Sequence, residues 1–178
     1  MLGSKAFEPN RDIDSPNRNI APISSEISDS EKLVVGGCQL SELAKKYGTP
    51  LYVIDELSLR IACKTYINSL KKYYPGDSLP LFASKANSSL AICALISSEG
   101  FGLDAVSEGE LLTALKGGVK GEKIVFHGNN KSNDELNFAY KNNVTIVLDN
   151  YHDIELLKKI ASDSKQAKLM LRFTPGIE

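Results

Sequence analysis

Lys85 closes the run Leu81-Phe82-Ala83-Ser84-Lys85-Ala86-Asn87, in which an apolar stretch stops at a cation followed by an amide. An apolar strand that ends in one lysine, just before a helix, puts an amine at the mouth of a sheet or barrel, where α/β proteins keep their active sites. With a dry strand behind it, such an amine can lose its proton and act as a nucleophile or condense with a carbonyl. The plain alternative is a surface lysine at a strand end. Other polar residues gather at equivalent places along the chain. Asn87 accompanies Lys85; Asp104, Ser107 and Glu110 follow the next expected strand; His127, Asn129, Asn130 and Lys131 the one after. Asp149 and Asn150 follow a fifth strand, and Arg172 lies near the end of a sixth. Each alone has an ordinary use: Asp149 and Ser107 as helix caps, Glu110 in a capping box, Arg172 in a surface ion pair. Collected on the face where parallel α/β folds bind ligands, they point to a site.

The elements that must position these residues alternate. Thr49 to Ile54 reads as a strand with Pro50 at its start, then Leu57, Ile61, Ile67 and Leu70 mark a helix from Glu56 to Tyr74. Strands are expected at Leu79–Ala83, Phe101–Val106, Lys123–His127, Val144–Asp149 and Lys168–Phe173. Helices fill the intervals: Ser88–Glu99, one from Ser107 to Gly117-Gly118, Ser132–Asn142 and Asp153–Ser164. Three helix ends share one pattern, Glu99-Gly100-Phe101, Gly117-Gly118-Val119 and Asn142-Asn143-Val144. Each offers Gly or Asn where a left-handed residue is needed, then an apolar residue that turns the chain back to the sheet. Near-continuous apolar strands alternating with helices imply a parallel sheet covered by helices, doubly wound or a (β/α)8 barrel. Only six strands fit, whereas a barrel closes with eight. As a barrel the chain would be incomplete, its first and sixth strands both open edges.

Upstream, Glu31 to Gly36 reads as a lone strand that would belong to a separate β domain, and Leu40 to Tyr47 as a helix leading into the repeat. The expected division is a disordered or loosely packed leader over 1–30, rich in Ser, Asn, Asp and Pro, a lead-in strand and helix over 31–48, and the strand-helix repeat over 49–178. The chain has 178 residues, 42% hydrophobic and 24% charged, the make-up of a globular protein. Its net charge of −1, from 21 basic and 22 acidic residues interspersed, gives no footprint for nucleic acid or an anionic membrane. Small molecules are the expected partners, and with no signal peptide the expected location is the cytoplasm. Cys38, Cys63 and Cys93 lack metal-ligand spacing and are expected as reduced core residues; His127 and His152 are too few for zinc. Gly100-Phe101-Gly102-Leu103-Asp104-Ala105 spells a dinucleotide fingerprint, but its glycines precede a strand instead of linking strand to helix.

The same residues carry a resemblance. Gly48-Thr49-Pro50-Leu51-Tyr52-Val53-Ile54-Asp55, Phe82-Ala83-Ser84-Lys85-Ala86-Asn87 and Gly102 to Glu110 resemble the opening of the alanine-racemase-fold, pyridoxal-phosphate-dependent decarboxylases. Within that group His127-Gly128-Asn129-Asn130-Lys131-Ser132 and Leu171 to Gly176 are similar to the diaminopimelate decarboxylases. The resemblance spans about Leu33 to Glu178 and leaves residues 1–30 outside. It implies an alanine-racemase-type (β/α)8 barrel, here about six βα units. It implies pyridoxal 5'-phosphate as cofactor, with Lys85 holding it through the amine, and Asp104, Glu110, His127 and Arg172 close to it. The implied reaction is decarboxylation of meso-2,6-diaminopimelate to L-lysine in lysine biosynthesis, by a homodimer. Two departures stand out: Ser84 replaces a β-branched residue, and Thr174 stands where asparagine is common before Pro-Gly.

By the same resemblance, the histidine that stacks on the ring, the glycine-rich phosphate loop and the glutamate on the pyridine nitrogen lie beyond these 178 residues. The chain alone is therefore expected to be inactive and marginally folded. Three alternatives stay open: an arginine- or ornithine-type decarboxylase, a non-catalytic half-barrel, and a barrel protein that uses no pyridoxal phosphate.

Overall fold

The computed structural model describes residues 20–161 and 165–176. The chain divides into two units between Thr65 and Tyr66. In the first, β1 (Glu26–Ile27), β2 (Leu33–Val35) and β3 (Cys38–Gln39) form an antiparallel sheet in that order, followed by α1 (Leu40–Tyr47). The strand expected to stand alone thus has two partners. Val35 opposes Cys38 across Gly36-Gly37, both at positive φ, so a two-glycine hairpin returns the chain. The partner strands are two residues each, too short for a period-two pattern to reveal. Of the expected leader over 1–30, residues 1–19 lie outside the described residues, and Glu26–Ile27 is paired.

Thr49 to Ile54 is not a strand. It makes no ladder with any strand among the described residues, and its side chains are exposed, Tyr52 at 97%. Apolar content signals a surface that wants cover; only paired backbone groups make a strand. α2 (Glu56–Tyr73) follows as expected and runs through the division between the units.

The second unit holds a five-stranded parallel sheet, β4 (Leu81–Ala83), β5 (Gly102–Ala105), β6 (Ile124–Phe126), β7 (Thr145–Leu148) and β8 (Leu169–Leu171), neighbours in chain order. Its edges are therefore β4 and β8: the sixth expected strand is an edge as expected, but the other edge is the second expected strand and not the first. Helices α3 (Leu90–Ser98), α4 (Glu108–Lys116), α5 (Asn133–Lys141) and α6 (Tyr151–Ile160) alternate with the strands. The α6 helix starts two residues before the expected Asp153, because Asn150 caps it by accepting from the Asp153 amide. Its expected end at Ser164 falls outside the described residues.

Period-two alternation splits the sheet. Leu103, Ala105, Ile124, Phe126 and Ile146 are fully buried with Leu111, Ala114, Leu136 and Ala139 of α4 and α5. Asp104, Val125 and Thr145 lie on the other face, side by side in register. The three similar helix ends behave alike. Gly100, Gly118 and Asn143 take positive φ, and the amides of Phe101, Val119 and Val144 reach back to the carbonyls of Ile96, Ala114 and Ala139. Those three apolar residues are buried.

Cys63 and Cys93 are buried as expected, but Cys38, on the two-residue β3, is exposed. Among the described residues no helix is long and apolar enough to cross a membrane.

Candidate functional site

Each βα connection lifts one polar group above the C-terminal rim of the parallel sheet. After β4 the chain tightens into a short 3-10 turn, Ser84–Ala86, that carries Lys85 on its outside. Ser84, 2% exposed, turns inward and donates its hydroxyl to Glu110 Oε2 at 2.7 Å. The same oxygen accepts the Val106 amide at 2.7 Å. Glu110 therefore ties the turn that bears Lys85 to the end of β5 and the start of α4.

This corrects the capping box expected at Ser107 and Glu110. Ser107 does cap α4, accepting the Glu110 amide at 3.3 Å, but the glutamate carboxylate leaves the helix to reach Ser84 and Val106. The reciprocal box closes one unit later. There Ser132 accepts the Glu135 amide, and Glu135 accepts the Ser132 amide at 2.9 Å.

Asp104 lies on the open face of β5. His127, the residue after β6 on the same face, brings Nε2 to 3.4 Å from Asp104 Oδ1, without the geometry of a hydrogen bond. That carboxylate oxygen is thus buried and lacks a hydrogen-bond partner, a costly arrangement unless something arrives to use it. Burial pushes the Asp104 carboxyl above its ordinary range. The neighbouring His127 and Lys85 oppose this and the Glu110 carboxylate adds to it, for a net upward shift.

Farther along the rim, Arg172 Nη1 donates to Asp149 Oδ1 at 3.0 Å, and the Arg172 amide donates to Leu148 O. Asp149 is therefore an arginine partner and not a helix cap. The structure brings Lys85, Asp104, Glu110 and His127 into one electrostatically linked group. Arg172 stands on the same rim, two strands beyond His127. Sequence reasoning missed the inward hydroxyl of Ser84 and the burial of Lys131 against Asp153. For Ser84 the available signal was a small polar residue replacing a bulky one where an apolar strand ends.

The residues present suit pyridoxal phosphate. An exposed amine faces solvent on a fixed turn, and an unpartnered buried carboxylate oxygen stands beside it on the same rim. A histidine and an arginine supply further donors.

The chain is similar to proteins of one kind. It is 44% identical over 173 residues to a diaminopimelate decarboxylase of Synechocystis sp., covering 92% of this chain and 37% of that one. A diaminopimelate decarboxylase of Bacillus subtilis is 42% identical over 151 residues, covering 82% and 34%. The crystal structure of the diaminopimelate decarboxylase of M. jannaschii superposes with a TM-score of 0.81 at 32% identity, over 87% of this chain and 37% of that one. The chain thus spans about a third of the length of the curated relatives it matches. Residues 60–178, which carry every strand end named above, match the family described as pyridoxal-dependent decarboxylase, pyridoxal binding domain, and the chain is a member of that family.

Proposed function

We propose that this chain supplies the lysine-bearing rim of a pyridoxal-phosphate-dependent carboxy-lyase that converts meso-2,6-diaminopimelate to L-lysine and carbon dioxide. The enzyme would be a cytoplasmic homodimer of lysine biosynthesis. The observation that carries this reading is Lys85, exposed on a turn that Ser84 and Glu110 hold rigid, next to a buried oxygen of Asp104 that has no partner. Relatives bearing the diaminopimelate decarboxylase name at up to 44% identity support the substrate. So does a related crystal structure in complex with L-lysine, the product expected here.

Bound pyridoxal phosphate supplies an aldehyde that condenses with amines and a ring that takes up the electron pair left when a carboxylate departs. The chain's own residues do the rest. Lys85 presents its amine at a fixed point, because the turn beneath it is held at 2.7 Å by Glu110. Asp104 offers an acceptor and His127 a neighbouring donor on the same face. Arg172, oriented through one of its terminal nitrogens by Asp149, keeps its remaining donors for an anionic group.

The test is chemical trapping. Protein mixed with pyridoxal phosphate and reduced with borohydride should carry a pyridoxyl group on the peptide containing Lys85. Lys85→Ala should lose both the adduct and the visible absorbance. Label spread evenly over other lysines, or unchanged in Lys85→Ala, would overturn the assignment. In an enzyme that carries this chain at its relatives' full length, release of carbon dioxide from arginine or ornithine in preference to diaminopimelate would overturn the substrate.

A further inference from the structure

Beside the rim, two oppositely charged side chains are sealed from solvent. Lys131 Nζ lies 2.8 Å from Asp153 Oδ2, and each side chain is only 1% exposed. A buried ion pair gains little over well-packed apolar residues, because removing two charges from water offsets their attraction. What it fixes in place is therefore the better guide to its use.

Lys131 also donates to Gly128 O, folding the loop after β6 back on itself one residue beyond His127. Asp153 Oδ2 accepts the Asp149 amide at 3.0 Å, and Asp149 is the residue that holds Arg172. Asn150 Nδ2 adds a second tie across the gap, donating to Asn129 O at 3.1 Å. The loops after β6 and β7 are thereby one cross-linked piece, with His127 at one side and Asp149 with Arg172 at the other. The other oxygen of Asp153, Oδ1, is buried without a hydrogen-bond partner, so the carboxylate is anchored through Oδ2 alone.

We propose that Lys131 and Asp153 are positioning residues: their buried pair locks the two loops together and so sets where His127 and Arg172 stand on the rim. Neither side chain reaches a ligand. This rests on reading the rim as the cofactor site, although the locking itself is a property of the ligand-free chain.

The test compares Lys131→Met, Asp153→Asn and the double variant, in the full chain, with Ile146→Val as a control that weakens the core without touching either loop. Two readouts are taken: amide hydrogen exchange of ligand-free protein, and affinity for pyridoxal phosphate from visible absorbance. Lys131→Met should speed exchange at Gly128–Asn130 and Asp149 and weaken cofactor binding about tenfold or more, since small misplacements of binding groups are costly. The double variant should regain thermal stability, having no unpaired buried charge, yet stay weak in binding because the Gly128 tether is still missing. Affinity that tracks thermal stability across all four variants, or loop exchange unchanged in Lys131→Met, would overturn the proposal. If the unaltered protein shows no Lys85-dependent absorbance, the cofactor reading fails, and the exchange pattern alone then decides the locking.

Discussion

Removing the Glu110 carboxylate should release the turn that carries Lys85. In Glu110→Ala two donors lose their acceptor, the Ser84 hydroxyl and the Val106 amide, each at 2.7 Å. A buried donor left unsatisfied costs about 1–3 kcal/mol. Ser84 is 2% exposed and bears that loss in full, whereas Val106 is 45% exposed and its amide can turn to water. The expected destabilisation is therefore about 2–4 kcal/mol. Glu110→Gln keeps an acceptor oxygen and loses only the charge assistance, for about 1 kcal/mol. Ser84→Ala deletes one bond without stranding a buried donor, again about 1 kcal/mol. Urea unfolding of the three variants and of Ser84→Ala/Glu110→Ala gives the coupling between the two residues, expected near 1 kcal/mol. Borohydride trapping at Lys85 should slow in the order Gln, then Ala. Zero coupling, or Glu110→Gln as damaging as Glu110→Ala, would refute the claim that an accepted hydrogen bond holds the turn.

Three further outcomes are expected. Asp104 binds its proton more tightly folded than unfolded, so in the absence of ligand its contribution is most favourable at low pH. Stability should fall as pH rises from the ordinary value of 3.8 through the raised folded value, and Asp104→Asn should flatten that stretch of a stability-against-pH curve. For Glu135, burial works against ionisation, but the bonds from the Ser132 amide and hydroxyl and from Glu108 hold its carboxyl below the ordinary 4.5. Its stabilisation is present at neutral pH and lost as pH falls through the lowered folded value. Ser132→Ala should cost about 1 kcal/mol near pH 7 in thermal unfolding and less in acid. Gly102→Ala would put a Cβ 2.1 Å from Lys123 O and 2.6 Å from Leu81 Cδ2, at the joint of β4, β5 and β6. Circular dichroism melting should show a loss of about 3 kcal/mol or more, and an unchanged melt would mean the strands do not approach that closely.

Much of the parallel sheet could be read from the chain because its signals are local. Apolar runs located β4 to β8, and the Gly- or Asn-terminated helix ends before β5, β6 and β7 located the return of Phe101, Val119 and Val144 into the core. What could not be read depends on contacts far apart in sequence. Ser107-x-x-Glu110 and Ser132-x-x-Glu135 have the same spacing, yet only the second closes as a box. The difference is a hydroxyl 26 positions away, Ser84, which competes for the first glutamate. Likewise the sequence offers Lys131 only among the polar residues after β6 and Asp153 only as a helix start, and nothing local to either says that the two will cover each other. The segment Thr49–Ile54 fails in the opposite sense: its composition suits a strand, but pairing requires a neighbour that composition cannot supply.

The alternation along β5 and β6 explains how this rim can carry strained chemistry without weakening the fold. Leu103 and Ala105 point into the helix-covered core while Asp104 between them points away, and Ile124 and Phe126 do the same around Val125. The cost of an unpartnered, desolvated carboxylate at Asp104 is thus borne by a strand whose other face is fully buried. Burial of that second face holds Asp104 in place, so the carboxylate cannot relax toward solvent by moving its backbone. Replacing Leu103 should therefore weaken both the fold and the site, whereas replacing Asp104 should disturb the site while leaving the ligand-free chain at neutral pH more stable than before. A Leu103→Ala variant that kept full cofactor affinity would show that the rim does not need this support.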